Sequence, residues 1–347
     1  MRGSTLTRLT DEAVVKAIRA GDELAFTALV ERYRQQLQVH CYRMLGSFDD
    51  SEDLVQETLL RAWRSRASFE GRSQLSTWLY RIATNACLNA LERAPRRVLP
   101  QDVVAPVTAN TDASEARSTP PWAPELPWLQ PFPDSRLQPA APSDMEPEAM
   151  VVSRETIELV FLAALQHLPP RQRAILILRD VLDWSARETA ALLEMSVASV
   201  NSAHQRARAT MRARQPVGRI EVSSDQERAT LQTFMKAWER ADIALLTSLM
   251  REDARWAMPP APLWFDGRGA IERLYTLFPI DWQGREFRML ATAANRQPAA
   301  AGYMRSAGES TFRGAGVHVL RIEGGQIAEV TTFSPELCRA FGLPPTL

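Results

Sequence analysis

Apolar residues return every three or four positions in the first third of the chain, which places them along one side of an α-helix. Three helices are predicted in this way, over residues 11–45, 47–64 and 73–94. The first is interrupted near Gly21, and Pro95 ends the third because proline cannot continue a helix. Four acids near the start of the second helix suit the positive end of a helix dipole: Asp49, Asp50, Glu52 and Asp53.

A second helical block covers residues 153–214. Ser185 and Glu188 have the spacing of a capping box, in which each side chain bonds the other's backbone N–H, so a short helix is expected to begin there. After a turn at Glu194, Ser196 can cap a longer basic helix. A short helix, a tight turn and a longer basic helix are the pattern of a DNA-binding helix-turn-helix.

Residues 222–345 change from helices to strands. Two amphipathic helices are predicted first, the second capped by Asp242 and extending to Met250, and a third covers residues 269–277. Four strand-like runs follow, at 286–293, 299–305, 316–323 and 326–333. Two adjacent glycines join the last two runs as a hairpin turn. Helices followed by an antiparallel sheet indicate an α+β domain.

Between these blocks, residues 98–152 contain eleven of the 23 prolines. Proline blocks helix continuation and keeps the preceding residue extended, so residues 97–152 are interpreted as a linker rather than a folded unit. The stretch has eight acids and two arginines, whereas residues 61–97 have eight arginines and two acids. This contrast suggests that the basic segment meets phosphate and that the acidic one avoids or imitates it.

The linker is unusually apolar at four positions: Trp122, Trp128, Leu129 and Phe132. Two interpretations are open, because apolar side chains can leave water in either of two ways. They can pack on a neighbouring domain of the same chain, or they can dock into a groove on a partner.

The chain has 347 residues, of which 45% are hydrophobic and 24% charged, so a globular protein of two or three domains is expected. It has no uncharged apolar run of eighteen residues and no apolar signal core at the N-terminus, so a cytoplasmic protein is predicted. Cys41, Cys87 and Cys338 lie far apart and lack metal-ligand spacing. They are expected to be buried free thiols, and no metal or cofactor is predicted.

In the basic helix, Val200, Ala203, Ala207 and Met211 return at helical intervals and are expected to face the core. Six polar side chains are then left outward: Ser199, Asn201, Ser202, Gln205, Arg206 and Arg208. Short polar side chains and arginine read base edges and hold phosphates in a major groove. No acid occurs from Val197 to Arg214, which favours DNA binding over a plain solvated surface.

Motifs of both helical blocks resemble one protein family. DLVQETLLRAW (53–63) and FEGRSQLSTWLYRIATNACL (69–88) look like region 2 of the extracytoplasmic-function sigma factors. The segment LPPRQRAILILRDVLDWSARETAALLEMSVASVNSAHQRAR (168–208) looks like their region 4. The resemblance implies two all-α domains, at residues 12–96 and 153–214, that bind RNA polymerase core and promoter DNA.

The linker and the residues after region 4 also resemble this family. WLQPFPDSRL (128–137), with a SnoaL-like domain after region 4, is similar to the sigma-G-type subgroup. GRGAIERL (267–274) and VHVLRIEGGQIAEVTTF (317–333) match the SnoaL-like pattern of the NTF2 superfold. The implied third domain, at residues 222–345, is a cone-shaped α+β fold.

In such factors the DLVQE helix docks on the coiled-coil clamp of the largest catalytic subunit of the polymerase. The residues that would do this here lie off the apolar stripe: Asp53, Gln56, Glu57 and Arg61. The loop from Ala67 to Ser73 would capture a flipped base of the −10 element, and the next helix would hold the single strand. Candidate strand contacts are Arg72, Arg81, Asn85 and Asn89. Of the aromatic residues Trp78 and Tyr80, we assign Trp78 to the core.

Two features depart from the family pattern. Glu194 stands in the turn of the helix-turn-helix, where many members have glycine, and a left-handed conformation there would cost on the order of 1 kcal/mol. Asn201 and Ala203 stand where many members carry Lys and Arg. We therefore expect lower affinity for the −35 element and a shallower salt dependence.

The third domain is expected to hold an apolar pocket lined by six residues: Trp256, Met258, Trp264, Phe265, Tyr275 and Phe278. His318, which alternates with Leu320 and Ile322, can point into it, and Asp266 lies on a loop. A lone histidine among apolar neighbours is more often structural, so no enzymatic activity is expected. The domain is expected to tune activity by packing on the linker or the DNA-binding parts, or through a small ligand.

Two other hypotheses stay open beside that of an alternative sigma factor. A helix-turn-helix regulator with a ligand-sensing third domain would need no polymerase-docking helix. A SnoaL-like isomerase or hydrolase would need a convergent acid–base pair near Trp256 and Tyr275, where the sequence offers only His318 and Asp266. The DLVQE helix favours the sigma factor.

Overall fold

The computed structural model describes residues 20–69, 75–112, 126–137, 156–214, 223–277 and 284–347. The helices are α1 (Glu23–Leu45), α2 (Phe48–Ser65), α3 (Leu75–Leu91), α4 (Leu159–Gln166), α5 (Pro170–Leu176), α6 (Ala186–Leu193), α7 (Val197–Arg214), α8 (Ser224–Glu239), α9 (Ile243–Ser248) and α10 (Arg268–Leu277). The strands are β1 (Met250–Ala257), β2 (Trp264–Asp266), β3 (Arg285–Ala294), β4 (Gln297–Ser306), β5 (Arg313–Glu323) and β6 (Gln326–Phe333). Unit 1 comprises Met1–Arg96, Leu137–Thr156 and Ala164–Arg214, and unit 2 comprises Arg97–Arg136, Ile157–Ala163 and Gln215–Leu347.

The first three helices pack together in unit 1. Asp22 caps α1 by accepting a hydrogen bond from the N–H of Ala25 at 3.0 Å, and Gly46 ends the helix with a left-handed φ of 69°. Ser47 caps α2 by accepting from the N–H of Asp50, so the acid cluster lies at the positive end of the helix as expected. The apolar residues of these helices form the core: Leu37, Tyr42, Val55, Leu59, Ala62, Leu79 and Ala83.

The second helical block of unit 1 forms the predicted helix-turn-helix. At the start of α6, Ser185 Oγ accepts from the N–H of Glu188 at 3.1 Å and the Glu188 carboxylate accepts from the N–H of Ser185 at 2.8 Å. Glu194 then adopts the left-handed conformation, with φ 54° and ψ 47°. Ser196 Oγ accepts from the N–H of Ser199 at 3.1 Å and caps α7. The capping box, the turn and the second cap are all confirmed.

Two buried arginines join parts of unit 1. Arg173 on α5 donates to Gln166 Oε1 at 2.8 Å and also to the carbonyl of Met44 at the end of α1. Arg43 donates to the carbonyl oxygen of Thr156 at 3.0 Å and to its hydroxyl at 2.7 Å. Burial lowers the pKa of each guanidinium to about 10, so both stay charged at neutral pH. Carbonyl, amide and hydroxyl oxygens therefore surround these buried charges, although Arg173 Nε has no hydrogen-bond partner among the described residues.

Unit 2 contains a six-stranded sheet with the order β2-β1-β6-β5-β4-β3. Strands β3 to β6 pair as an antiparallel meander, and α8 packs on β3 and β4. The predicted strand runs correspond to these four strands. The prediction of an antiparallel sheet is wrong at one pair, because β1 lies parallel to β6 and the sheet is mixed.

The helix predicted to reach Met250 ends at Ser248, and β1 begins at Met250. Asp242 does cap that helix, by accepting from the N–H of Leu245 at 2.9 Å. The backbone of Met250 pairs with Ile327 of β6, so a partner distant in sequence decides its conformation. The sequence analysis did not predict β1 and β2, because their strand conformation depends on partners that are distant in sequence.

The described parts of the proline-rich stretch pack within unit 2. Val107 extends the sheet beside β2: its N–H donates to the carbonyl of Trp264 at 2.9 Å, and the N–H of Asp266 donates to its carbonyl at 3.0 Å. Leu129 and Phe132 are buried. Of the two interpretations of these apolar residues, packing on a domain of the same chain is therefore the one that the structure supports for Leu129 and Phe132. Trp122 lies outside the described residues.

The three cysteines are buried free thiols, as the sequence predicts. The helices of the described residues include none that is both long and apolar enough to cross a membrane. Within the same residues, no group of three or more His, Cys, Asp or Glu side chains is placed to hold a metal ion.

Candidate nucleic-acid interface

The outer face of α7 is polar and exposed. Val200, Ala203, Ala207 and Met211 are buried, so the core face of the helix is confirmed. The six candidate side chains lie on the other sides of the helix and are all exposed: Ser199, Asn201, Ser202, Gln205, Arg206 and Arg208. This face combines hydrogen-bonding groups with positive charge, the combination that contacts bases and phosphates.

An acid from another element reaches this face. Asp180, in the π-helical turn Ile177–Val181 after α5, accepts from His204 Nε2 at 2.7 Å and pairs with Arg208 Nε at 3.2 Å. The pair holds Arg208 against the domain and offsets part of its charge. Sequence inspection of α7 alone missed Asp180, because the residue lies 24 positions before His204 and meets it only in the folded domain.

One face of α3 carries three of the candidate −10 contacts. Arg81, Asn85 and Asn89 are exposed and follow one another at four-residue intervals, so they lie along one side of the helix. An amide and a guanidinium at this spacing can hydrogen-bond a strand that runs along the helix. The fourth candidate, Arg72, lies outside the described residues, as does most of the predicted base-capturing loop.

The assignment of Trp78 to the core is wrong. Tyr80 is the buried residue, with its ring 5.1 Å from that of His40. Trp78 is partly exposed, and its ring lies 5.0 Å from that of Phe69 at an angle of 39°. The two residues lie two positions apart on a helix and so point in different directions, and the neighbouring helix α1 decides which one is covered.

A third exposed face lies on α2. Asp53 and Gln56 are exposed, while Glu57 and Arg61 are half-buried and form an ion pair of 2.7 Å. Leu60 lies among them with 51% of its surface exposed. An exposed leucine within a polar helix face suits a protein contact, since burying it removes apolar area from water. Its exposure was missed in the sequence because it sits beside the apolar stripe.

The interior of unit 2 is aromatic around His318. The imidazole lies 5.1 Å from the ring of Trp238 and 5.9 Å from that of Phe234, and its Nδ1 is 2.9 Å from Thr332 Oγ1. Trp256 Nε1 donates to the same hydroxyl at 2.9 Å, so Thr332 Oγ1 bridges the indole and the imidazole. Burial lowers the pKa of His318 to about 4, so the imidazole is neutral at pH 7.

Of the residues expected to line a pocket, Trp256 and Phe265 belong to the apolar core, with Met258 packed against it. Trp264 does not point inward: its Nε1 donates to the carbonyl of Val104 at 3.0 Å, because alternate residues of β2 face opposite sides. Asp266 was expected on a loop, but it ends β2 and is paired with Arg255 at 3.2 Å. The side chain of Tyr275 and the whole of Phe278 lie outside the described residues.

Three known families match successive parts of the chain. Sigma-70 region 2 matches residues 29–97, Sigma-70 region 4 matches residues 158–211, and the SnoaL-like domain matches residues 231–330. The three matches cover the bundle α1–α3, the helix-turn-helix and most of unit 2. They occur in the order that the motifs predict.

Individual relatives agree with the family matches. The chain is 41% identical over 354 residues to the ECF RNA polymerase sigma factor SigG of Mycobacterium tuberculosis, covering 99% of this chain and 92% of the relative. It is 32% identical over 201 residues to the ECF RNA polymerase sigma-E factor of Escherichia coli, covering 58% of this chain and 92% of the relative. The crystal structure of the M. tuberculosis extracytoplasmic function sigma factor SigJ has the same fold, with a TM-score of 0.55 and 19% identity over 92% of this chain and 100% of that one.

The two helical domains and the sheet domain, with a full-length relative, define a sigma-70-type transcription-initiation factor. The chain belongs to the family of ECF RNA polymerase sigma factors that carry a C-terminal SnoaL-like domain. The predicted family and fold class are confirmed. Sigma factors of this kind are initiation factors rather than catalysts.

Proposed function

We propose that the chain directs RNA polymerase core to specific promoters, docking through α2 and contacting DNA through α3 and α7. The observation that carries the proposal is the exposed outer face of α7, to which the helix itself contributes several arginines and no acid. The faces of α2 and α3 support it, because they present exposed side chains where sigma factors have their docking and −10 motifs.

In this proposal, Asp53, Gln56, Glu57 and Arg61 contact the clamp of the largest catalytic subunit, around the exposed Leu60. Such a patch resembles a hot spot, with an apolar centre and a polar rim. Arg81, Asn85 and Asn89 contact the −10 strand together with Arg72. The polar face of α7 contacts the −35 duplex.

We further propose that the C-terminal domain, within residues 222–345, modulates activity without catalysing a reaction. The described partners of His318 are a threonine and aromatic rings, which supports a structural role, since general acid–base catalysis needs a placed and suitably tuned group. A small ligand among Trp256, Met258 and His318 is part of the same proposal. Region 2 and region 4 are proposed to lie within residues 12–96 and 153–214.

Replacing Gln56 and Glu57 with alanine, alone and together with Leu60→Ala, tests the docking role. The replacements remove contact surface from the outer face of α2, together with the ion pair between Glu57 and Arg61. Affinity for core polymerase should therefore fall at least about tenfold while the helix content stays unchanged. Pull-down titration with purified core polymerase measures the loss. Glu23→Ala, at an exposed position on α1, is the matched control. Unchanged affinity in the triple variant would remove α2 from the docking surface.

A further inference from the structure

We propose that two side chains in the first two turns of α7 select thymine and adenine at two positions of the −35 element. Val197 contacts the methyl group of a thymine, and Asn201 hydrogen-bonds to the edge of an adenine. The inference rests on the proposed contact of α7 with the −35 duplex. It goes beyond that contact, because it names the bases that the helix selects.

Val197 is an exposed apolar residue at the start of a polar face. It begins α7 and has 44% of its surface exposed, whereas Val200 and Ala203 of the same helix are buried. Single exposed apolar residues are common on protein surfaces, so exposure alone assigns no role to Val197. Its position is more specific, because the N-terminal residues of the second helix of a helix-turn-helix contact base edges in the major groove. Val197 therefore faces bases when α7 lies in the groove.

The first turn of α7 is fixed by its cap. Ser196 Oγ accepts from the N–H of Ser199 at 3.1 Å, and the two serine hydroxyls lie 2.8 Å apart. Valine is branched at Cβ and keeps few rotamers in a helix, so Val197 presents its methyl groups in a defined direction. The thymine methyl is the apolar group that bases display in the major groove. Contact between these groups removes apolar area from water.

Asn201 lies one turn after Val197 and on the same side of the helix. It is exposed, as is Gln205, and no described residue hydrogen-bonds to either amide. Its amide places a donor beside an acceptor, which matches the N7 acceptor and N6 donor of adenine. Gln205 lies a further turn from the N-terminal residues that contact bases, so we assign the adenine to Asn201.

The charges of α7 favour DNA as the occupant of this face. The helix has four arginines and no acid, so it attracts a phosphate backbone. Phosphate contacts position a protein on the duplex but carry no sequence information directly. Among the other polar side chains, Ser199 bonds to Ser196 within the cap, and Arg208 is paired with Asp180. Base selection therefore falls to the uncharged side chains of the first two turns.

The holoenzyme tests this inference on duplexes whose −35 segment is randomised. The full chain assembled with core polymerase should enrich thymine at one position and adenine at another. Uracil in place of that thymine removes only the methyl group, and 7-deazaadenine in place of that adenine removes only the N7 acceptor. The wild-type holoenzyme should bind the uracil duplex about fourfold more weakly and the 7-deazaadenine duplex about fivefold more weakly, which titration of each duplex measures.

Two variants separate the side chains. Val197→Ser should bind the thymine and uracil duplexes equally and keep the loss caused by 7-deazaadenine. Asn201→Ala should show the reverse. Both residues are exposed, so neither replacement disturbs the core of the domain. Val103→Ser, at a valine of unit 2 with 43% of its surface exposed, is the matched control and should keep both losses.

A methyl effect that persists in Val197→Ser would overturn the role of Val197, and an N7 effect that persists in Asn201→Ala would overturn that of Asn201. Enrichment of a −35 sequence in which neither base analogue weakens binding would overturn the whole inference. A wild-type holoenzyme that enriches no −35 sequence would instead contradict the proposed contact of α7 with DNA, and the inference would fail with it.

Discussion

Glu194 carries the backbone strain of the helix-turn-helix. Its left-handed conformation ends α6, and its N–H bonds to the carbonyl of Ala190. A side chain in this conformation costs on the order of 1 kcal/mol relative to glycine. The sequence predicted strain at Glu194 if its backbone were left-handed. The structure has this backbone conformation, so the strain is present.

Glu194→Gly should raise the free energy of unfolding of the helix-turn-helix by about 1 kcal/mol, because glycine adopts this conformation without a clash. Urea titration of the full chain, with hydrogen exchange of residues 186–214 as the local readout, measures the change. Glu194→Ala keeps a side chain in the left-handed region and should bring no such gain. Equal stability of the glycine and alanine variants would place the strain elsewhere.

His318 makes the stability of unit 2 depend on pH. Its pKa is about 4 in the folded state against an ordinary value of 6.5, so the unfolded chain binds more protons between these values. The contribution of the neutral imidazole is present above pH 6.5 and is lost as the pH falls toward 4. At pH 5 the loss should be about 2 kcal/mol, from about 1.4 kcal/mol per pH unit.

Urea unfolding of unit 2 at pH 7 and pH 5, in the wild type and in His318→Gln, checks this expectation. Glutamine does not titrate, so the variant should lose about 2 kcal/mol less than the wild type between the two pH values. Carboxylates titrate in both proteins and cancel in the comparison. Identical pH dependence in the two proteins would mean that the imidazole takes up its proton in the folded state.

At the scale of elements, α7 combines two kinds of arginine. Arg206 is exposed on the outer face, whereas Arg208 is paired with Asp180 at 3.2 Å. A charge that is already offset releases fewer counterions when it reaches phosphate. Arg206 and Arg208 are both predicted DNA contacts in the sequence, but in the folded domain only Arg208 is paired with Asp180.

Arg206→Ala should reduce the slope of log affinity against log salt for a −35 duplex by about one, and Arg208→Ala should reduce it by less. Fluorescence anisotropy of the full chain at several salt concentrations measures both slopes. Arg228→Ala in α8, an exposed arginine paired with Asp225, serves as the control. Equal slope changes for Arg206 and Arg208 would show that the Asp180 pair opens on binding.

Helices were predicted more completely than strands. Capping residues and apolar spacing lie within a few positions of each other, so α2, α6 and α7 could be read directly from the chain. The strands β1 and β2 have no such local signal. Pairing of β1 with β6 brings Trp256 opposite Val330, and sequence spacing does not report a contact over that distance.

At the scale of the whole molecule, unit 2 includes more than the C-terminal sequence block. Val107, Leu129 and Phe132 lie before region 4 in the sequence, yet all three are buried within unit 2. Removing residues 216–347 would take away their partners and expose them to water. The C-terminal domain cannot be deleted without changing the linker.

The fragment 1–215 should therefore bind a hydrophobic dye and self-associate, which the full chain should not do. Dye fluorescence and light scattering of the two proteins measure the difference. The same fragment with Leu129→Ser and Phe132→Ser should bind less dye, since these side chains provide the exposed apolar area. A monomeric fragment that does not bind the dye would mean that Leu129 and Phe132 are buried against other residues of the fragment.

The sequence by itself determined the family, the helix-turn-helix and the inward face of α7, because caps, turns and apolar spacing act over a few residues. The residue contacts of these faces stay predictions. Only the tertiary structure decided which of Trp78 and Tyr80 is covered, where Trp264 points, and that Asp180 pairs with Arg208. It also decided that the described parts of the proline-rich stretch pack within unit 2. Each of these outcomes depends on a partner far away in the chain, and local sequence carries no record of that partner.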